Sequence, residues 1–111
     1  MRRAVNERFL RLAGLARRAG KLYAGFDEAE RCARKSRGCL LVTSADISEK
    51  TLKEVRFLAE RYSAKVVTVS FTKLQIGGAL GAREVAVFAV SDKSFAGALE
   101  DAAGQLDGGA V

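Results

Sequence analysis

The 111-residue sequence contains no histidine, no proline, two cysteines and no long apolar run. Without histidine, Cys32 and Cys39 are too few thiols to complete a standard tetrahedral zinc set, and no imidazole is available as a general base. We therefore expect no metal site, no cofactor and no catalytic residue. The absence of proline is compatible with regular elements joined by short loops and decides nothing by itself.

The two cysteines have two interpretations. Cys32 falls on the apolar side of a predicted helix and Cys39 at the start of a predicted strand, so both fit as buried small hydrophobes. A redox pair is the less favoured alternative. Buried free thiols suit a reducing cytoplasm. Polar residues interrupt the segment after the basic residues 2–3, so the sequence predicts neither a signal peptide nor a membrane span.

Positive charge is scarce after residue 38 and concentrated before it. Residues 1–38 hold 11 Lys/Arg against 4 Asp/Glu, and residues 39–111 hold 8 against 9, so the net +6 combines +7 with −1. Lysine and arginine gain affinity for nucleic acid by displacing counterions from phosphates. RNA or DNA is thus favoured over an acidic membrane as partner. The alternative is a solvated basic helix that only aids solubility.

Helical and strand patterns alternate along the chain. Predicted strands cover residues 22–24, 39–43, 66–69 and 85–90; predicted helices cover 6–20, 26–36, 48–62 and 72–80, and a last helix is capped by Ser91 or Asp92. This alternation predicts an α/β sandwich with helices on both faces of the sheet. We expect one domain over 1–111, ordered over about 4–103, with a frayed tail at 104–111.

Three strings look catalytic, but each lacks its structural context. Ser70 and Lys73 have the S-x-x-K spacing of serine acyltransferases without the further motifs of that class. The glycines of 77–81 fall within and at the end of a predicted helix, so close helix packing and a glycine cap explain them better than a nucleotide loop. Gly20 and Lys21 lack the other residues of a phosphate-binding loop. An enzyme is therefore the least favoured class.

The junction at Gly25 concentrates features of a binding surface. The short apolar stretch 22–24 leads through Gly25 into a helix whose first turn carries Asp27 and Glu28. A helix N-terminus presents unpaired N–H groups and the positive end of its dipole. Cations follow on the same segment: Arg31, Arg34, Lys35 and Arg37. Donors, acceptors and positive charge therefore converge here.

Four segments occur in an order and spacing typical of one family. They are 15–22 (LARRAGKL), 25–31 (GFDEAER), 72–81 (TKLQIGGALG) and 90–96 (VSDKSFA). In these segments the chain resembles the kink-turn RNA-binding ribosomal-protein family, in particular its small bacterial YlxQ-like members, over about residues 6–103. The resemblance implies a three-layer α/β/α sandwich with a four-stranded mixed sheet. It also implies a structured RNA as partner, ribosomal RNA foremost, with ribosomal or translation-related proteins as further partners.

The resemblance implies that the helix after Gly25 reads RNA. In the family this helix opens with G-x-N-E-x-x-K and reads tandem sheared G·A pairs in a sharply bent RNA; Gly25, Glu28 and Arg31 take the glycine, glutamate and lysine positions. Asp27 stands in place of asparagine. Ionised aspartate only accepts hydrogen bonds, so it could take guanine N–H donors without reproducing every contact of asparagine. Without the family, Asp27 is an N-cap or first-turn acid and Glu28 a first-turn acid.

A second implied contact region is the loop before the last strand. In the family, apolar side chains there usually cover flipped or stacked bases; here Arg83 and Glu84 make the loop more polar, while Ala82 and Val85 could still supply apolar contact. Lys21 and Arg31 are expected to neutralise phosphate, with ordinary solvated charge as the alternative. The predicted RNA-binding residues are Gly20, Lys21, Gly25, Phe26, Asp27, Glu28, Arg31, Arg34, Ala82, Arg83, Glu84 and Val85.

These observations favour a cytoplasmic, non-enzymatic RNA-binding protein that recognises a kink-turn or internally looped RNA. The competing hypothesis is a protein-interaction scaffold of the same fold with weak or no specific kink-turn binding. Asp27 and the polar 82–85 loop favour that hypothesis.

Overall fold

The computed structural model describes residues 2–105, in which five helices alternate with four strands. The elements are α1 (Arg2–Arg18), β1 (Leu22–Ala24), α2 (Phe26–Lys35), β2 (Leu40–Thr43), α3 (Glu49–Tyr62), β3 (Lys65–Thr68), α4 (Lys73–Leu80), β4 (Val87–Val90) and α5 (Lys93–Gly104).

The strands form one mixed sheet in the order β1-β4-β2-β3. Strand β4 runs antiparallel to both β1 and β2, whereas β2 and β3 are parallel. In this register Ala24 pairs with Phe88, and Thr43 pairs with Val87. The last residues of β1 and β2 and the first residues of β4 therefore lie at the same end of the sheet, which we call the Ala24 end.

One face of the sheet is covered by α1, α4 and α5. Leu40 and Val42 of β2 join a buried cluster with Phe9 of α1, Ile76 of α4 and Leu99 of α5. The other face is covered by α2 and α3, where Leu41 of β2 joins Ala29 and Val55. Because successive residues of a strand point to opposite faces, a continuous apolar run such as β2 fits only between two layers. The α/β sandwich and its four-stranded mixed sheet are thus confirmed.

Polar residues begin three of the helices. Thr51 N–H donates to Ser48 Oγ at the start of α3, and Phe95 N–H donates to Asp92 Oδ2 at the start of α5. At α4, Thr72 and Gln75 form a reciprocal capping box. These caps satisfy backbone N–H groups that have no partner within the helix. Of the two predicted caps for α5, Asp92 is the one used.

Some predicted boundaries were wrong. Helix α1 begins at Arg2 rather than near Asn6, because arginine and alanine extend a helix readily. Strand β4 begins at Val87 rather than at residue 85, because the N–H of Val85 donates to the Lys73 carbonyl and turns that segment toward α4. Strands β2 and β3 each begin one residue away from the predicted position.

Helix α5 ends at Gly104, where the predicted tail begins, and residues 106–111 of that tail lie outside the described residues. Over residues 2–105, no helix has the length and apolar character needed to cross a membrane.

Candidate nucleic-acid interface

Backbone hydrogen bonds bring the start of α2 and the 82–86 loop together at the Ala24 end. Gly25 N–H donates to the Val87 carbonyl at 2.8 Å, and Ser44 N–H donates to the Ala86 carbonyl at 2.9 Å. Both bonds extend the antiparallel pairing of β4 beyond its strands. The loop before β4 is therefore held between the chain leaving β1 and the chain leaving β2.

Gly25 allows the chain to pass from β1 into α2 without a loop. Its φ of 95° and ψ of 159° belong to a region that is essentially restricted to glycine. Gly25 occupies the N-cap position, and among residues 2–105 no side chain caps this helix. The N-cap interpretation of Asp27 was therefore wrong: Asp27 and Glu28 are first-turn acids, where the helix dipole favours negative charge.

Glu28 and Arg31 form an exposed ion pair on α2. Arg31 Nη1 lies 3.4 Å from Glu28 Oε2, and the side chains are 57% and 46% exposed for Arg31 and Glu28 respectively. An exposed pair of this kind contributes about 0–1 kcal/mol, so its separation costs little. Both side chains can therefore exchange their mutual contact for contacts with a ligand. The buried side of α2, formed by Ala29, Cys32 and Ala33, anchors the helix to the sheet.

Lys73 and Asp46 also lie at this end of the sheet, and the sequence analysis did not identify either as a site residue. Lys73 Nζ is 3.6 Å from Glu84 Oε1, so a cation lies beside the 82–86 loop. The backbone N–H of Lys73 donates to Asp46 Oδ1 at 2.9 Å and holds the pKa of that carboxyl below its usual value. The capping box at Thr72 could have located the start of α4. The hydrogen bond between Lys73 and Asp46, in contrast, depends on the packing of segments that are distant in the chain.

Gly77 lets the loop approach α4 closely. A Cβ atom at this position would lie 2.6 Å from the Arg83 carbonyl oxygen and 2.7 Å from Glu84 Cα. At the end of the helix, Gly81 adopts φ +74°, and Ala82 N–H donates to the Gly77 carbonyl. The prediction of close packing and a glycine cap is confirmed at Gly77 and Gly81, whereas a Cβ at Gly78 would meet nothing within 4 Å.

The loop exposes its charged residues and buries its valine. Arg83 and Glu84 are exposed and Ala82 is half-buried, whereas Val85 is 5% exposed and belongs to the core around Phe9. Of the two apolar residues expected to contact a ligand, only Ala82 keeps substantial accessible surface. Val85 instead anchors the loop.

Gly20 and Lys21 lie at the opposite end of β1. Lys21 N–H donates to the Ala16 carbonyl and Gly20 N–H to the Arg17 carbonyl, which is the double hydrogen bond of a glycine-terminated helix. Since Leu22 pairs with Val90, these residues are one strand length from the Ala24 end. Gly20 therefore has a structural role in ending α1.

Phe26 and Arg34 lie on a different side of α2 from Arg31. With Glu30 they line a groove of about 540 Å³ between α2 and α3, into which Phe57 and Tyr62 also project. The structure thus groups Gly25, Asp27, Glu28 and the 82–84 segment at the Ala24 end, whereas Arg31 lies one turn beyond Glu28 on α2, where it lines a cavity with Ser91. It separates Arg34 and Lys21 from that group.

No protein-family model and no curated protein matches the sequence. Among solved structures, the chain is similar to a protein of unknown function from Bacillus halodurans, with a TM-score of 0.76 and 28% identity over 85% of this chain and 94% of that one. It is also similar to the 15.5 kD RNA-binding protein of Giardia lamblia, with a TM-score of 0.69 and 14% identity over 93% of this chain and 88% of that one. The second similarity shows a common fold.

Proposed function

We propose that this chain is a non-enzymatic RNA-binding protein that recognises structured RNA through the Ala24 end of its sheet. The observation that carries the proposal is the Gly25–Val87 hydrogen bond, which places a helix start without a side-chain cap beside an exposed, charged loop. Two supports are independent of this geometry. The excess positive charge lies in residues 1–38, and the Giardia protein of the same fold is an RNA-binding protein.

The groups at this end suit different parts of an RNA. Arg31 and the N–H groups at the start of α2 can contact phosphate, which positions the RNA without reading its sequence. Glu28 and Asp27 accept hydrogen bonds and can pair with guanine N–H donors. RNA bases are accessible to such contacts where the helix is bent or interrupted. The surface therefore favours an internally looped RNA over a plain duplex.

A finer proposal rests on the family resemblance. The positions of Gly25, Glu28 and Arg31 favour a kink-turn as the recognised element, and a ribosomal or ribosome-linked RNA in the cytoplasm as its source.

A protein-interaction scaffold is the second candidate. Asp27 puts a negative charge at the helix start where an RNA phosphate would approach, and Phe57 in the groove between α2 and α3 is 62% exposed. An exposed aromatic side chain in a groove is a common feature of protein-binding surfaces. This candidate predicts weak binding to RNA without preference for bent RNA.

Titration of a kink-turn RNA and a plain duplex of equal length, at several salt concentrations, separates the two candidates. We expect the kink-turn RNA to bind at least about tenfold more tightly at physiological salt, because base contacts do not depend on counterion release. Equal affinity for the two RNAs would rule out kink-turn recognition.

Variants assign the residues. Glu28→Ala and Arg31→Ala are expected to weaken RNA binding, and Asp27→Asn is expected to tighten it. Arg31→Ala should also reduce by about 1 the slope of the logarithm of the binding constant against the logarithm of the salt concentration, because one phosphate contact is lost. Arg56→Ala is a matched control, because it removes an exposed arginine from α3, which packs on β2 and β3, away from β1 and the 82–86 loop. A loss of affinity in the control equal to that of Arg31→Ala would show that binding is only electrostatic.

A further inference from the structure

Cys32 and Cys39 lie on the two sides of the turn between α2 and β2 and belong to the same buried cluster. The chain reverses direction after α2, with Ser36 N–H donating to the Cys32 carbonyl and Cys39 N–H donating to the Ser36 carbonyl. This tight turn brings Cys39 back toward Cys32, and both side chains belong to one buried cluster with Ala29 and Leu41. Both cysteines are free and buried, with exposures of 5% and 3%.

The two thiols differ in their access to solvent. Cys32 lines a cavity of about 220 Å³ whose walls include Tyr23, Glu28, Arg31 and Ser91, whereas Cys39 is not part of its lining. Two cysteines acting only as small hydrophobes need no opening to a polar cavity. The arrangement instead places one thiol in the lining of a polar cavity and the second in the same buried cluster, outside that lining.

The surroundings favour the thiolate of Cys32 over that of Cys39. Hydrogen bonding from the side chains of Cys39 and, to a smaller extent, Ser91 lowers the pKa of Cys32 against the opposing effect of burial. Hydrogen bonding with Cys32 and burial raise the pKa of Cys39. The titratable and charged groups around the pair are Tyr23 of β1, Glu28, Arg31 and Lys35 of α2, and Tyr62 of α3.

We propose that Cys32 and Cys39 form a peroxide-sensitive thiol pair, in which Cys32 is the reacting cysteine and Cys39 the resolving cysteine. The Cys32 thiolate attacks hydrogen peroxide, so that an S–O bond forms, the O–O bond breaks and hydroxide leaves. Cys32 becomes a sulfenic acid, a two-electron oxidation. The Cys39 sulfur then attacks the Cys32 sulfur, the S–O bond breaks, and water leaves with the Cys39 proton. The product is an intramolecular disulfide, and the proposal does not depend on RNA binding.

Oxidation of the full-length protein by equimolar hydrogen peroxide at pH 7 tests the proposal. Trypsin cleavage after lysine and arginine separates the cysteines into the peptides 32–34 and 38–50. We expect non-reducing mass spectrometry to find these two peptides linked, with a mass two hydrogens below their sum. Two intact thiols, or a disulfide between two chains, would overturn the proposal.

Three further measurements assign the roles. With Cys39→Ser, a sulfenic-acid trap such as dimedone is expected to label peptide 32–34. With Cys32→Ser, Cys39 is expected to stay reduced. In the wild type, competitive alkylation at pH 7 is expected to modify Cys32 about tenfold faster than Cys39, because the thiolate is the nucleophile. This third measurement needs no variant and remains valid if a serine substitution prevents folding. Faster alkylation of Cys39 would refute the assignment.

Discussion

Gly77→Ala is expected to displace the 82–86 loop from α4. The added Cβ would lie 2.6 Å from the Arg83 carbonyl oxygen and 2.7 Å from Glu84 Cα, whereas unstrained contacts between carbon atoms are about 3.5–4.0 Å. Both obstructing atoms belong to the backbone, so no side-chain rotation can relieve the overlap. Either the loop or the helix must move by roughly 1 Å to reach an ordinary contact distance.

The neighbouring Gly78 provides a matched control. A Cβ at this position meets nothing within 4 Å, and both glycines lie inside α4. Replacing glycine by alanine within a helix stabilises it by about 1 kcal/mol, and this gain is common to both variants. Overpacking costs about 1–3 kcal/mol. The difference in unfolding free energy between Gly78→Ala and Gly77→Ala therefore isolates the overpacking cost at Gly77.

Urea unfolding followed by far-UV circular dichroism measures this difference. We expect Gly78→Ala to be more stable than the wild type, and Gly77→Ala to be about 1–3 kcal/mol less stable than Gly78→Ala, with similar urea dependence for the two variants. Equal stability of the two variants would refute the conclusion that α4 holds the 82–86 loop in close contact.

Three other predictions concern the same end of the sheet. Gly25→Ala is expected to lower stability by about 1–3 kcal/mol, because φ +95° strains any other residue although space is open there; unchanged urea unfolding would contradict this. Thr72→Ala is expected to cost about 1 kcal/mol in the same assay through loss of the capping box, and a wild-type midpoint would argue against the cap. The hydrogen bond from the Lys73 N–H lowers the pKa of Asp46. The ionised Asp46 carboxylate therefore stabilises the folded protein fully above the unfolded-state pKa, and this contribution is lost as the pH falls through the folded-state pKa. The stability difference between wild type and Asp46→Asn should therefore shrink toward acidic pH, and a pH-independent difference would be inconsistent with this linkage.

Local patterns predicted most of the fold. The run 39–43 predicted a strand buried on both faces, and β2 lies between two layers of helices because only that position removes every side chain of the run from water. Ser48 and Thr72 begin α3 and α4 because their hydroxyl groups accept hydrogen bonds within three residues along the chain. Such interactions are complete within a short segment, so they are visible in the sequence.

Several features that local patterns did not predict depend on distant segments. Val85 has the β-branched side chain of a strand residue, but its N–H donates to the Lys73 carbonyl rather than to a neighbouring strand. Its side chain packs in the core, and β4 begins two residues later. Lys73 and Asp46 were not identified as neighbours of the site because 27 positions separate them in the chain. Lys21 and Arg34 share the charge of the site residues, but helix geometry and strand direction place them elsewhere.

The sequence by itself determined the order of the elements, the buried character of the strands, the excess charge of residues 1–38 and the junction at Gly25 that opens α2. These follow from side-chain chemistry, periodicity and local hydrogen bonding, which act over a few residues. Only the tertiary structure decided that Gly25 pairs with Val87, next to the 82–86 loop, and that Cys32 lines a cavity whereas Cys39 does not. Both outcomes depend on how elements pack. The first requires β4 to pair antiparallel with both β1 and β2, and the second requires α2 to pack its buried side on the sheet.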